Sequence, residues 1–116
     1  QTRPEAAVNQ EEKTVIGFAK KYIRDNFSKD IDMAIISNMV SMNYCYFSKL
    51  FKDETGMKFS DYLTRVRMEE AKKLLDDACI RIREAAIRVG YPNPKHFTRA
   101  FKNYYGISPE QYKKGN

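Results

Sequence analysis

The sequence predicts an all-α fold of about seven helices, and three observations support this prediction. Apolar residues recur at helical spacing along most of the chain, strict alternation of apolar and polar residues is absent, and glycine is scarce within the apolar-periodic stretches. The chain has 116 residues, 42% of them hydrophobic and 31% charged. This length and this balance fit one globular domain or two very small helical subdomains, and they argue against a disordered chain.

The first three helices are predicted from apolar periodicity and from capping residues. The first covers residues 12–27, because its apolar side chains fall on one helical face. These side chains are Val15, Phe18, Ala19, Tyr22 and Ile23. A short apolar helix follows over residues 32–40, with Asp32 as its N-cap. Asn43 caps a third helix, which ends at Gly56.

Four more helices are delimited by caps, glycine and proline. They are a central helix over residues 60–78 capped by Ser60, a helix over residues 82–89 that stops at Gly90, a helix from Asn93 and Pro94 to Gly106, and a short helix over residues 108–112 that begins with Ser108 and Pro109.

Two segments at a constant offset of 50 residues repeat one pattern. Residues 47–62 are FSKLFKDETGMKFSDY, and residues 97–112 are FTRAFKNYYGISPEQY. The identical pairs are Phe47/Phe97, Phe51/Phe101, Lys52/Lys102, Gly56/Gly106 and Tyr62/Tyr112. This match indicates two copies of one unit, made of a short apolar helix, a tight turn, a capped helix and a glycine. The plan is typical of the helix-turn-helix, although a plain αα-hairpin in a helical bundle would show the same periodicity.

The chain is therefore predicted to hold two helix-turn-helix subdomains joined by a central linker helix. We expect the first subdomain over residues 12–58, the linker helix over residues 59–79 and the second subdomain over residues 80–116. Residues 1–11 are expected to be a linker or the remnant of a longer protein, of which this chain is a piece.

The positive charge lies in the last third of the chain. The net charge is +6, and residues 1–80 hold 13 basic and 13 acidic residues. Residues 81–116 hold two acidic residues, Glu84 and Glu110, and eight basic ones, which are Arg81, Arg83, Arg88, Lys95, Arg99, Lys102, Lys113 and Lys114. A localised basic surface attracts a phosphate backbone, but a solvated face has the same composition, so charge alone does not decide between them.

The second helix of each copy provides the candidate site residues. Its phenylalanines are expected to face the core, and the other side chains near its N-terminus are expected to face outward, where a recognition helix contacts base edges. The candidates for base contacts are Tyr44, Cys45, Ser48 and Lys49 in the first copy and Lys95, His96 and Arg99 in the second. The candidates for phosphate contacts are Asn43, Lys52, Asn93, Thr98 and Lys102. Arg67 and Glu70 on the central helix are interpreted as structural or solvated.

Other kinds of function find less support in the sequence. Cys45 and Cys79 form no CxxC motif and His96 is the only histidine, so we expect no catalytic residues, no metal site and no cofactor. Two unpaired thiols are typical of a cytoplasmic protein, and no apolar run is long enough to cross a membrane. The positive charge is compatible with RNA binding, but the sequence shows no run of exposed aromatic residues on which unpaired bases could stack. A helical protein-interaction module without specific DNA binding is the main alternative.

Three motifs show a family resemblance. Residues 47–75 and 82–112 contain FK-x-x-x-G, YL-x-x-x-R-x-x-x-A-x-x-LL and I-x-E-x-A-x-x-V-G-[FY]. Over about residues 12–113 the chain resembles the AraC/XylS family of bacterial transcription regulators. The resemblance implies sequence-specific binding of double-stranded DNA, with two recognition helices in successive major grooves. It also implies RNA polymerase as a partner, and an N-terminal sugar-sensing domain or the receiver domain of a two-component response regulator.

The sequence departs from the family pattern at three points. Ser37 and Ser41 stand where the first helix-turn-helix usually has alanine and glycine, and the hydroxyl of Ser37 is expected to bond back to the preceding turn. Pro92 adds a second proline to the second turn. Lys49 is the only cationic base-contact candidate of the first recognition helix, so we expect the first copy to make weaker or less base-specific contacts.

Overall fold

The structure, a computed structural model, describes residues 10–115, and all regular elements in that range are α-helices. Their bounds are α1 (Gln10–Asn26), α2 (Met33–Met39), α3 (Tyr44–Thr55), α4 (Phe59–Leu75), α5 (Ile82–Arg88), α6 (Pro94–Tyr105) and α7 (Pro109–Gly115). The predicted all-α fold of about seven helices is therefore confirmed. Most of the linker expected at residues 1–11 lies outside the described residues, and its last two residues belong to α1.

The chain forms two compact units. The first runs up to Asn26 and resumes at Ile31–Leu63, and the second comprises Phe27–Asp30 and the residues from Thr64 onwards. The division falls within α4, so the central helix contributes its first residues to one unit and the rest to the other. The predicted ranges of the first subdomain (residues 12–58), the linker helix (59–79) and the second subdomain (80–116) stay a prediction.

The first unit has an aromatic and aliphatic core in which α1 and α3 take part. Ile16, Ala19 and Ile23 of α1 are buried, as are Phe47 and Phe51 of α3. The predicted stripe on α1 was partly wrong, because Phe18 is 40% exposed. The buried face of α1 is rotated toward Ile16, so Phe18 lies beside the core rather than in it.

The second unit has its own core around α4, α5 and α6. The fully or nearly fully buried side chains are Met68, Ala71, Leu75, Ala85, Ala86, Val89, Phe97 and Phe101. Phe27 and Tyr112 pack against this core from outside α4–α6. Because both helices contribute buried side chains to this core, it fixes the position of the short helix α5 relative to the longer helix α6.

The internal repeat is also a structural repeat. Helices α3 and α6 have 12 residues each, and their first and last residues differ by the predicted offset of 50. Each ends at a left-handed glycine, Gly56 or Gly106, whose N–H donates to the lysine carbonyl four residues earlier at 2.7 Å. Phe101 packs edge-on against Tyr112, as Phe51 does against Tyr62. The four repeated phenylalanines are completely buried, as expected.

The turns before α3 and α6 share one hydrogen-bond pattern. The N–H of Met42 donates to Ser37 O at 2.9 Å, and that of Tyr91 donates to Ala86 O at 2.8 Å. The left-handed residue of this Schellman-type turn is Ser41 in the first unit, with φ 56°, and Gly90 in the second, with φ 103°. Equivalent residues therefore differ by 49 before the turn and by 50 after it.

The additional residue in the second turn is Pro92. Met42 and Tyr91 are equivalent through their hydrogen bonds, and Asn43 and Asn93 are equivalent as N-caps, which leaves Pro92 between them without a counterpart. Pro92, the second proline of this turn, therefore makes it one residue longer than the turn in the first unit.

Ser37 is buried and its hydroxyl is satisfied. The Oγ atom donates to Ala34 O at 3.0 Å, one turn back along α2, as the sequence predicted. The serine therefore adds no unpaired polar atom to the first unit.

Replacing Ser41 with glycine should raise the free energy of unfolding by roughly 0.5–1 kcal/mol, because a side chain at positive φ is strained. Urea unfolding followed by circular dichroism measures the change. The control is Asn38→Gly, at an exposed position inside α2, which should lower stability by a similar amount. Equal losses in the two variants would contradict the proposed strain at Ser41.

The predicted bounds of α4 were wrong at both ends. Ser60 is not the N-cap, because the helix begins at Phe59 and the N–H of Tyr62 already bonds to Lys58 O at 3.0 Å. The helix ends at Leu75 rather than near residue 78, because Asp77 starts a local turn in which its carboxylate accepts the N–H of Cys79 at 2.9 Å.

The last helix is longer than predicted. Ser108 does cap it, since its Oγ accepts the N–H of Gln111 at 3.1 Å while the Gln111 side chain accepts the N–H of Ser108 at 3.1 Å. The helix continues past Tyr112 to Gly115. Among the described residues no helix combines the length and the apolar character that a membrane crossing needs.

Candidate nucleic-acid interface

Asparagine caps fix the start of both candidate recognition helices. The side-chain oxygen of Asn43 accepts the N–H of Tyr46 at 3.1 Å, and that of Asn93 accepts the N–H of Lys95 at 2.9 Å. Pro94 occupies the first position of α6, where its fixed φ suits a helix start. Both predicted caps are present, and the first turn of each helix is held in place.

The first unit presents a small, mostly neutral candidate surface. Tyr44 is 52% exposed, and Cys45 and Lys49 are also exposed, while Ser48 is half-buried. Lysine is the only charged group among these four base-contact candidates. The arrangement suits apolar and hydroxyl contacts to bases more than bidentate recognition.

The second unit presents a cationic candidate surface. Lys95, His96 and Arg99 are all exposed on the first two turns of α6, and helical spacing brings Lys95 and Arg99, four residues apart, to the same face. Arg99 is the equivalent of Lys49 in the repeat, and its planar guanidinium can donate two parallel hydrogen bonds to guanine.

The phosphate-contact candidates fall into two groups. Asn43 and Asn93 use their side-chain oxygens as caps, so only their amide N–H groups are available to a phosphate. Thr98 is half-buried, whereas Lys52 and Lys102 are exposed in the last turns of α3 and α6. In that position a lysine also stabilises the helix dipole, so its exposure has two physical explanations.

Tyr46 is a residue of the first recognition helix that the sequence did not single out. It is 44% exposed, and its hydroxyl donates to the carboxylate of Glu12, which is buried near the start of α1. The bond ties the N-terminal turn of α3 to α1. The two residues are 34 positions apart and follow no local motif, so only the fold reveals the pair.

Arg67 holds the segment at residues 27–30 against the helices of the second unit. Its Nε donates to Phe27 O at 2.8 Å and its Nη2 donates to Lys29 O at 3.0 Å. The guanidinium also lies over the ring of Tyr91, 5.4 Å from the ring centre. This side chain is structural, in line with the sequence interpretation.

Helix α7 fastens the loop between α4 and α5. The Nζ atom of Lys113 donates to the carbonyl oxygens of Leu75, Asp77 and Ile80, at 3.4, 3.1 and 2.9 Å. The hydroxyl of Tyr112 donates to the carboxylate of Asp76, and this hydrogen bond raises the pKa of Tyr112. These contacts fix the chain that leads into α5.

Tyr105 completes the aromatic packing behind α6. Its ring lies 4.8 Å from that of Phe101, and burial is the main reason that its pKa is raised to about 12. The ring thereby extends the aromatic packing around Phe101 at the C-terminal end of α6.

The described residues contain no group of three or more His, Cys, Asp or Glu that could hold a metal ion. Cys45 and Cys79 are free thiols and both are exposed.

Two turns that share one hydrogen-bond pattern, each followed by an Asn-capped helix with exposed polar side chains at its start, define a helix-turn-helix protein. A family model described as a helix-turn-helix domain matches residues 36–115. The chain belongs to this helix-turn-helix family, which is of the AraC type.

Relatives with similar sequences are bacterial regulators. The chain is 43% identical over 79 residues to the transcriptional regulatory protein YesN of Bacillus subtilis, which covers 66% of the chain and 22% of that protein. It is 28% identical over 106 residues to the Msm operon regulatory protein of Streptococcus mutans, which covers 91% of the chain and 38% of that protein. The chain therefore spans well under half the length of these two relatives.

Solved structures show the same fold. The C-terminal domain of AraT, a response regulator from Geobacillus stearothermophilus, has a TM-score of 0.83 and 35% identity, with 88% of this chain and 85% of that chain covered. The DNA-binding domain of AdpA, solved in complex with a target DNA, has a TM-score of 0.75 at 21% identity, with 92% and 93% covered. The resemblance to the AraC/XylS family is thus confirmed.

Proposed function

We propose that the chain binds double-stranded DNA and thereby regulates transcription. The observation that carries the proposal is the matched pair α3 and α6, each fixed by an asparagine cap and each with polar side chains exposed at its start. Family membership supports it, because AraC-type helix-turn-helix domains are the DNA-binding parts of transcription regulators and are not normally enzymes.

Each recognition helix is proposed to enter a major groove, with the two helices in successive grooves. Successive grooves on one side of B-DNA are separated by one helical turn, about 34 Å. Arg99 and Lys95 would donate to guanine O6 and N7, while Ser48 and Tyr44 would contact bases through hydroxyl and ring atoms. Cys45, Lys49 and His96 complete the proposed base-contact set.

The backbone contacts are proposed to come from side chains at both ends of these helices. They are Asn43, Lys52, Asn93, Thr98 and Lys102. Such contacts set the position of the protein on the duplex and contribute affinity without sequence preference.

The comparisons support one of the partners proposed for the whole protein. The chain covers 22% and 38% of two regulators, and the AraT neighbour is the C-terminal domain of a response regulator. We therefore propose an N-terminal sensor or receiver domain. From the family resemblance we also propose RNA polymerase as a partner, and from the two unpaired thiols we propose action in the cytoplasm.

One observation favours a helical protein-interaction module as a second candidate function. The outward face of α2 carries no charge, and Ile35 and Met39 are exposed on it, one helical turn apart. Such a face suits another protein better than a phosphate backbone. This alternative predicts binding that depends little on salt.

The proposal is tested by the reactivity of Cys45 toward a thiol-alkylating reagent. A saturating 20-base-pair duplex at low salt should slow alkylation of Cys45, because DNA covers the start of α3. Free N-acetylcysteine, alkylated in the same buffers with and without the duplex, provides the control and should keep its rate. Raising the salt concentration should restore the reactivity of Cys45, since duplex binding weakens steeply with salt. Unchanged Cys45 reactivity at low salt would argue against the proposed interface.

The two recognition helices should contribute unequally to affinity for a selected duplex. Arg99→Ala should weaken binding by about 10- to 100-fold if the guanidinium reads a base bidentately, whereas Lys49→Ala should weaken it less than about fivefold. Fluorescence anisotropy titration measures both.

The two variants control for each other. The replaced residues are equivalent in the repeat, both side chains are exposed, and each substitution removes one positive charge. Unfolding midpoints should stay near that of the original chain. A larger loss for Lys49→Ala than for Arg99→Ala would refute the unequal roles.

A further inference from the structure

The N-cap positions of α2 and α5 carry opposite charges. Asp32 precedes α2 and its carboxylate accepts the N–H of Ile35 at 3.0 Å. The equivalent position before α5 is Arg81, which has the extended backbone of an N-cap but makes no side-chain bond to the helix. The equivalence follows from the offset of 49 that relates the turns at the ends of α2 and α5.

Helix stability does not explain an arginine at this position. A guanidinium has no acceptor atom and cannot cap an N–H group, and its positive charge is unfavourable next to a helix start. The first unit has the stabilising residue at the same place. Another interaction is therefore needed to explain Arg81.

Two arginines at the start of α5, one at the N-cap and one two residues later, have no partner for their positive charge among the described residues. Arg81 and Arg83 are exposed, and in the described part of the chain neither takes part in an ion pair or a side-chain hydrogen bond. Arg88 on the same helix differs, because it pairs with Glu84 at 2.9 Å. The equivalents of Arg81 and Arg83 in the first unit are Asp32 and Ala34, so the first unit lacks both positive charges.

The backbone that carries Arg81 is held in place. Ile80 O accepts from the Nζ atom of Lys113 at 2.9 Å, and the N–H of Ile80 donates to Asp77 O at 3.1 Å. Because this segment is already ordered, binding a ligand through Arg81 would lose less conformational entropy than binding through a mobile loop.

We propose that Arg81 and Arg83 bind phosphate groups of the DNA backbone beside the groove that α6 enters. The inference rests on the proposed function. In a helix-turn-helix the first helix crosses the backbone while the second enters the major groove, so residues at the start of α5 lie toward phosphates. Guanidinium groups bind phosphate oxygens through parallel hydrogen bonds. The contacts are made by the two side chains, and they give the second unit two phosphate contacts that have no equivalent in the first unit.

Alanine variants test the proposal through the salt dependence of binding. The affinity for a random 20-base-pair duplex is measured by fluorescence anisotropy at several salt concentrations. The slope of log Kobs against log salt should become shallower by about 0.9 in Arg81→Ala, and by the same amount in the separate variant Arg83→Ala. When the salt concentration rises from 50 to 200 mM, the affinity of the original chain should fall by a certain factor, and the factor for each variant should be about threefold smaller. A selected duplex should be weakened by the same factor as the random one, because phosphate contacts do not read sequence.

The matched control is Lys73→Ala, which removes one positive charge from an exposed site on α4 outside both helix-turn-helix motifs. If Arg81→Ala and Arg83→Ala keep the slope of Lys73→Ala, the proposal is overturned while the proposed function stands. If the original chain binds no duplex at 50 mM salt, the proposed function fails and this inference fails with it.

Arg81→Asp separates DNA contact from a structural role. The variant restores the residue that caps α2, so the thermal midpoint of the second unit should rise by about 4 °C. Its affinity for the random duplex should fall by more than that of Arg81→Ala, because the carboxylate repels phosphate. Higher stability with lower affinity supports the proposal. Higher stability with unchanged affinity overturns it.

Discussion

Replacing Gly90 with alanine should lower the free energy of unfolding of the second unit by about 3 kcal/mol, the sum of backbone strain and overpacking. The φ angle of 103° is one that residues with a side chain rarely adopt. A Cβ atom would also lie 3.1 Å from Phe27 O and 3.2 Å from the Nε and Cζ atoms of Arg67. A backbone oxygen cannot move aside as the end of a side chain does. Urea unfolding monitored at 222 nm measures the loss.

Two other glycines separate the strain from the crowding. Gly56 has φ 79° with nothing within 4 Å of an added Cβ, so Gly56→Ala should lower stability by only about 1 kcal/mol. Gly17 lies inside α1 with the same open space, and Gly17→Ala should raise stability by about 0.5–1 kcal/mol. If Gly90→Ala cost no more than Gly56→Ala, the contact with Phe27 O would not matter.

Arg67→Ala should lower the free energy of unfolding by about 2–3 kcal/mol, because two backbone carbonyl oxygens would each lose a hydrogen bond from a charged donor. The acceptors Phe27 O and Lys29 O lie 40 and 38 residues away along the chain, so the loss frees the segment at residues 27–30. Arg67→Lys should recover less than half of the loss, since one ammonium cannot reproduce the planar guanidinium fork.

Arg88→Ala is the matched control within the same unit. It removes an exposed arginine that is paired with Glu84, and it should change stability by no more than about 0.5 kcal/mol. A loss as large as that of Arg67→Ala would mean that net charge, not the two carbonyl bonds, determines the effect. Chemical unfolding of both variants in the same buffer decides between these explanations.

The features that the sequence predicted well have local causes. Asn43, Asn93 and Asp32 cap helices through bonds to N–H groups two or three residues away, and Gly56 and Gly106 end them in a left-handed conformation. These interactions depend on residue type and spacing alone. The repeat then extended a local pattern to two units.

The features that were missed or misplaced depend on distant contacts. Tyr46 and Glu12, like Lys113 and Ile80, are paired across more than 30 residues, and no motif marks either pair. The end of α4 was placed too late because Ala78 continues the apolar spacing, while the Asp77 side chain competes for a backbone N–H. Phe18 has the right period for the core but lies at the edge of the buried face.

The candidate interface was predicted in outline rather than in detail. Exposure of Tyr44, Lys49 and Arg99 follows from helical spacing once the phenylalanines are assigned to the core. The half-buried state of Ser48 and Thr98 does not follow, because it depends on how closely neighbouring elements pack around each helix. The charge asymmetry between the units was visible in the sequence, but the missing cap at Arg81 required the structure.

The single-residue insertion at Pro92 sets a rule for building chimeras of this protein. Aligned at a fixed offset of 50, a transplanted α5–α6 hairpin would be spliced one position out of phase with the first unit, and the buried side of its leading helix would be turned by about 100°. The junctions of such a chimera have to treat Met42 as equivalent to Tyr91 before the insertion and Asn43 as equivalent to Asn93 after it. Pro92 has to be transferred together with the second turn. An exchange made at those junctions would transfer the base preference of one helix-turn-helix unit and would keep the buried side chains of the recipient unit in register.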